Sequence, residues 1–300
     1  MSLLALFSAL ESGLIYALVA LGVYISFRVL DFPDLTADGS FPLGGAVAGI
    51  SILAGFNPWL ACIFGMLAGA MAGVVTAWLH VKLGILQLLS SILVMVALYS
   101  INLRIMKAPN LPLLGEPSVF QALVTDTNGF WMRCLIIGAV VIAGKLFLDW
   151  FFSTETGLAM RATGSNLRMS QAQGINTSKS IVLGMAISNA LIALAGALFV
   201  QTQGGADISI GVGTIVIGLA AVIIGETIIP SKRMLWITLS VIVGAILYKL
   251  FIQIALSSEL LRSIGFGSQD LNLITALLVI VALILPKMKA KALQQRHKNV

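Results

Sequence analysis

Of 300 residues, 59% are hydrophobic and only 10% charged, with mean hydropathy +1.03 and net charge +6. A water-soluble domain carries about 25% charged residues, so this composition excludes a soluble enzyme or a nucleic-acid-binding module and predicts an all-α integral membrane protein. At about 20 apolar residues per crossing, the length accommodates about nine spans (eight to ten) in a single transmembrane domain over 1–300, with no separate soluble domain.

The first expected span is Leu3 to Phe27, interrupted only by Glu11. It has no basic flank and no small-x-small cleavage site, so it reads as a retained helix rather than a signal peptide. A polar stretch from Arg28 to Pro42 follows, punctuated by Pro33, Gly39 and Pro42. A short Gly-rich helix, Leu43 to Phe56, is closed by Asn57-Pro58. The third and fourth spans are Trp59 to His80 and Ile85 to Ile105. An irregular segment from Met106 to Phe130 leads to the fifth span, Trp131 to Phe152.

Residues 153–178 form the most polar interior segment, and no part of it is apolar enough to span. Within it, Ser165 or Asn166 before and Gly174 after delimit a short helix of about Leu167 to Gln173. A short helix held between two spans is a handle for a peripheral partner, or else a plain amphipathic connector. The sixth span, Lys179 to Val200, ends in a polar turn, Gln201 to Asp207. Ile210 to Ile229, Met234 to Leu256 and Leu271 to Leu285 complete the nine, and residues 287–300 form a basic tail.

Orientation follows from the Lys/Arg bias of the loops. With the tail cytoplasmic, thirteen of the eighteen Lys and Arg fall inside and four outside, which predicts an N-out, C-in topology. Ala37 to Gly45 echoes Ala206 to Gly213, and each copy precedes a Gly-rich apolar helix. An odd number of spans separates the copies, so they would run in opposite directions. That pattern suggests an inverted repeat with discontinuous helices, a recurring transporter architecture.

No catalytic constellation is present. The two histidines, His80 and His297, stand far apart, and Cys62 and Cys134 read as apolar fillers, so no metal site, cofactor or catalytic residue is expected. There is no Gly-x-x-x-x-Gly-Lys-Ser/Thr loop, so any ATP hydrolysis must come from a partner. Polar residues inside spans, including Glu11, Ser90, Ser91, Asn102, Asn189, Gln201, Glu226 and Lys249, read mostly as glue between helices. Asp34, Thr36, Asp38 and Ser40 differ, because they cluster at a broken helix, and Asp207 and Ser209 occupy the corresponding echo. Non-helical backbone at membrane depth is tolerated where protein or a water-filled cavity satisfies it. These six are therefore candidate substrate-pathway residues, with a simple loop as the alternative.

The segment Gly157-x-Ala159-x-Arg161-Ala162-x-Gly164-x-Asn166, followed by Gly174-Ile175, resembles the cytoplasmic loop of branched-chain amino acid and sugar ABC permeases. Gly13 to Gly22 is similar to that family's first helix, and Asp270 to Leu278 to its last span. Leu30 to Phe41 resembles a subgroup working with periplasmic or lipid-anchored binding proteins, some assigned to tryptophan or tyrosine. The resemblance implies an importer permease that couples to a separate ATPase through Arg161, Gly164, Ser165, Asn166, Leu167, Arg168 and Gly174. It also implies a substrate-binding protein, a second permease copy in a homodimer and a small amino-acid-like solute. Two departures from the family stand out: Ser170-Gln171 stands where Ala-Ala is frequent, and Asn272 where Lys is common. A secondary transporter or facilitator would share broken helices and repeats but would need no capped cytoplasmic helix.

Overall fold

The computed structural model describes residues 3–121, 129–231 and 233–257. The expected ninth span and the basic tail lie outside these residues. The elements in order are α1 (Leu3–Val23) with a π-helical continuation (Tyr24–Val29), α2 (Ala37–Leu53), α3 (Pro58–Leu83), α4 (Gln87–Met106) and β1 (Asn110–Pro112). Then follow α5 (Gly129–Ser153), α6 (Glu155–Ser165), α7 (Leu167–Ala172), α8 (Thr177–Gln203) and β2 (Gly205–Asp207). A 3₁₀ turn (Ile208–Gly211), α9 (Thr214–Ile228) and α10 (Met234–Ser257) complete the described chain. Seven of these helical stretches are long and apolar enough to cross a membrane, and α2 is a shorter apolar helix.

Helix α8 is the hub, packed by α1, α2 and α3. Lipid tails are as apolar as leucine, so close backbone approach has to supply the attraction between spans. Gly65, Gly69 and Gly73 recur at every fourth position and put one stripe of α3 against α8. A methyl group on Gly73 would sit 2.2 Å from the Met185 carbonyl, and one on Gly44 of α2 would sit 1.9 Å from that of Ala193. The outer faces of α3, α4 and α5 expose Met71, Val96, Leu135 and Trp150, as surfaces that meet acyl chains do.

Three features differ from the sequence expectation. Helix α2 begins at Ala37, six residues early, and takes Pro42 into its body. Proline there cannot donate to the Asp38 carbonyl, and the backbone of Gly211 packs against that freed oxygen instead. The polar segment after α5 holds two helices, because Thr154 caps α6 by accepting from the Gly157 N–H. The irregular segment after α4 pairs with the turn after α8: β1 and β2 run antiparallel with Leu111 opposite Ala206. That small sheet marks one end of the bundle, and α6 and α7 mark the other.

Candidate functional site

At the α6–α7 end, the sequence builds a rigid elbow. Asn166 takes an extended conformation between the two helices, and its side-chain oxygen accepts from the Met169 N–H at 3.0 Å. Asn166 is therefore the cap, whereas Ser165 closes α6. Helix α7 ends in a Schellman motif: Ile175 N–H donates to the Ser170 carbonyl and Gly174 N–H to that of Gln171, both at 3.0 Å. Gly174 stands at φ +81°, the left-handed region that glycine enters without strain. Asn176 then caps α8 through the Lys179 N–H, and Gln171 donates to the Thr177 hydroxyl. Arg161, Ser165, Leu167, Arg168 and Met169 are exposed, while Ser170 is buried beneath α7.

Gly164 is the seat of this elbow. A Cβ there would lie 1.9 Å from the Val29 carbonyl oxygen and 2.9 Å from the Leu30 Cα. The α6 backbone thus rests directly on the chain leaving α1. In the sequence Gly164 is one letter of a motif, and its contact with residues far earlier in the chain appears only in three dimensions.

Asp34, Thr36 and Ser40 are brought together, deep in the bundle. Asp34 accepts from the Thr36 N–H at 2.9 Å and from the Asn189 side-chain nitrogen at 2.8 Å. Ser40 donates to the other end of the same Asn189 amide at 2.7 Å, and the Thr36 hydroxyl meets that of Thr76 at 2.8 Å. All are buried, so one amide on α8 and one hydroxyl on α3 tie down the non-helical segment before α2. Asn102 on α4 adds a bond to the Gly39 carbonyl at 3.2 Å.

Asp38 reaches elsewhere. Its carboxylate accepts from the N–H groups of Gly213 and Ile215, at 3.2 and 2.9 Å, and so caps α9. The α9 cap residue itself is Gly213, at φ +82° with no side chain to offer. A carboxylate on the exposed amides of a helix N-terminus is favoured both by hydrogen bonding and by the helix dipole. The two echo segments therefore meet, the first turn of α2 closing the start of α9. Asp207 and Ser209 stay apart from this junction: Asp207 accepts from the Ser209 N–H at 2.7 Å and caps the 3₁₀ turn beside the small sheet.

The other polar residues have mixed partners: the Ser90 hydroxyl donates to the Gln87 carbonyl at 2.8 Å within α4 itself, while others reach a different element. The Ser188 hydroxyl donates to the Gly22 carbonyl at 2.7 Å, and the Gln201 carbonyl group accepts from the Val119 N–H. The Lys249 ammonium lies 3.7 Å from the centroid of the Tyr16 ring, a cation–π contact between α10 and α1. Among the described residues no group of three or more His, Cys, Asp or Glu is arranged to hold a metal ion.

A family model for the branched-chain amino acid transport system permease component matches residues 5–285. The chain belongs to that family. It is the membrane-spanning permease subunit of an ATP-binding cassette importer, a multi-pass protein of a cell membrane and not itself an enzyme. Its partners are accordingly an ATPase subunit and a substrate-binding protein. A tyrosine transport system permease protein of Clostridioides difficile is 40% identical over 92% of this chain and 89% of its own length. A probable branched-chain amino acid transport permease protein, LivH of Methanocaldococcus jannaschii, is 27% identical over 63% of this chain and 64% of its own. The solved structure of PsaBC from Streptococcus pneumoniae aligns over 93% of this chain and 89% of that chain, with TM-score 0.49 and 15% identity.

Proposed function

We propose that this permease passes an amino-acid-like solute, with an aromatic amino acid favoured, and that residues 153–178 are its ATPase-coupling segment. The tyrosine permease relative supports the solute class, since it matches almost the whole chain. The coupling role is carried by one observation: α7 is closed at both ends, exposes Leu167, Arg168 and Met169, and stands beside a helix seated on the α1 backbone through Gly164. A groove of the ATPase that grips α7 would move α6, and α6 has no slack against Val29 and Leu30. Arg161, Ser165, Asn166 and Gly174 complete this element, as exposed surface, helix end, cap and stop.

Asp34, Thr36, Asp38 and Ser40 serve the pathway indirectly in this reading, by holding the starts of α2 and α9 against each other, while Asp207 and Ser209 shape the mouth next to the sheet. The meeting of the two echo segments favours an inverted repeat with discontinuous helices. A pathway half-formed by each copy favours a homodimer about a two-fold axis, with one ATPase beneath each permease. Native mass spectrometry of the purified complex reads that stoichiometry directly. An N-out, C-in orientation, with the 287–300 tail inside, agrees with the loop charges.

The test is a double substitution, Asn166→Leu with Gly174→Val. Loss of the cap costs about 1 kcal/mol of helix stability, and valine cannot hold φ +81° without strain. No span is touched, so the protein inserts. Uptake falls sharply, and stimulation of ATPase activity by loaded binding protein is lost while basal hydrolysis persists. Wild-type uptake by the well-expressed double variant would reduce the segment to a connector.

A further inference from the structure

At the same end of the bundle as α6 and α7, a cavity of about 470 Å³ opens between the end of α1 and the end of α9. Tyr24, Arg28, Glu226, Ser231 and Ser240 are among its lining residues. Its volume lies within the range of about 300–1,000 Å³ usual for small-molecule sites. Arg28 grips Glu226 bidentately, with Nε donating to one carboxylate oxygen at 2.9 Å and Nη2 donating to the other. The side chains keep 55% and 28% of their exposure, so the pair stays open to the cavity. Pairs this exposed contribute little to stability, and a purely structural role leaves the arrangement without a reason.

The chemistry left over is specific. A guanidinium has five N–H donors and the pair uses two, so Arg28 retains three for another acceptor. Each Glu226 oxygen accepts one bond from Arg28 and retains capacity for a further donor. One edge of the pair thus offers donors and the adjacent edge acceptors, which is complementary to a carboxylate and an ammonium held on one carbon atom. Tyr24 and Ser231 supply a mixed wall for a side chain. Arg28 is also held in an unusual way. It lies in a π-helical turn, where Leu30 N–H reaches back five residues to the Ile25 carbonyl at 3.0 Å. Such turns are rare and concentrate at functional sites. The next residue, Val29, carries the carbonyl on which Gly164 rests.

We propose that the Arg28–Glu226 cavity binds the zwitterionic head of an α-amino acid, one residue along the chain from the seat of the coupling segment. The proposal rests on the amino-acid importer reading above. Occupancy would be sensed where α6 leans on α1, so the site suits either an exit station or a brake applied by accumulated solute.

The experiment uses the permease assembled with its ATPase in nanodiscs of phosphatidylcholine alone, which keeps lipids bearing a primary ammonium away from the site. The unfolding midpoint is measured with each proteinogenic L-amino acid added singly. At least one should raise the midpoint, and its decarboxylated amine should not. Arg28→Gln and Glu226→Gln should each weaken the apparent affinity at least tenfold. Where a lone charge harms folding, the Arg28→Gln/Glu226→Gln double variant replaces both with neutral groups that still hydrogen-bond. No shift with any amino acid, or a shift unchanged in these variants, overturns the proposal. A shift abolished by adding phosphatidylethanolamine reassigns the cavity to a lipid headgroup and overturns it as well. ATPase stimulation by loaded binding protein, measured in the same nanodiscs, separates the two ideas. If stimulation is present and the shift absent, the importer reading survives and this site does not.

Discussion

Gly164→Ala adds a single methyl group, and the structure says where it goes. Its carbon would lie 1.9 Å from the Val29 carbonyl oxygen, 2.8 Å from the Val29 carbonyl carbon and 2.9 Å from the Leu30 Cα. All three are backbone atoms, so no side chain can rotate out of the way, and α6 must lift by about 1.5 Å to restore an ordinary contact. Overpacking of this kind costs about 1–3 kcal/mol. Expressed as a conformational preference, that is about 5- to 150-fold against the seated arrangement. Gly138→Ala in the middle of α5 is the matched control, because its nearest neighbour would be a Leu14 methyl group at 4.0 Å. The assay is solute uptake and binding-protein-stimulated ATPase activity in proteoliposomes, at matched permease content. Gly164→Ala should lose at least four-fifths of both (order of magnitude from that preference), with basal hydrolysis retained, whereas Gly138→Ala should keep both. Equal activity of the two variants would refute the claim that tight seating of α6 transmits the motion.

Removing the carboxylate cap with Asp38→Ala should lower the unfolding midpoint by an amount equivalent to about 0.5–2 kcal/mol, and Asp38→Asn should recover part of the loss; no change in either variant would show that α9 needs no cap from α2. Asn189→Leu strands the Asp34 Oδ2 atom and the Ser40 hydroxyl, both on buried residues, while Asp34 Oδ1 keeps the Thr36 N–H. At about 1–3 kcal/mol for each buried group left unpartnered, the yield of folded protein in detergent should collapse, and normal yield would mean that water replaces the amide. Single cysteines placed at Gly115 and at Gln294 should label from opposite faces of the membrane, Gly115 from outside and Gln294 only after permeabilisation; labelling of both from one face would reject the N-out, C-in orientation.

Much of the architecture was legible in the residues themselves. A span is written as a long apolar run because each crossing must satisfy its own backbone in hydrocarbon, and α3, α4, α5 and α10 stand within a few residues of where those runs put them. Local chemistry was equally readable: Asn166 and Gly174 delimit α7 because a cap and a left-handed stop act over a few neighbouring residues. Helix α6 could have been read in the same way, from Thr154 as a cap and Glu155 in the first turn.

What only the tertiary structure decided is the identity of partners distant in the chain. That Asp38 closes α9, that one Asn189 amide holds both Asp34 and Ser40, that Arg28 pairs with Glu226, and that Gly164 seats α6 on Val29 are all contacts across more than 100 residues. Periodicity carries no information about them, because a helix interior looks the same from the sequence whichever neighbour it meets. In a bundle surrounded by lipid, hydrophobicity marks the helices but cannot sort them. The sorting falls to close glycine contacts and a few buried hydrogen bonds, and these take their meaning only once the helices are side by side.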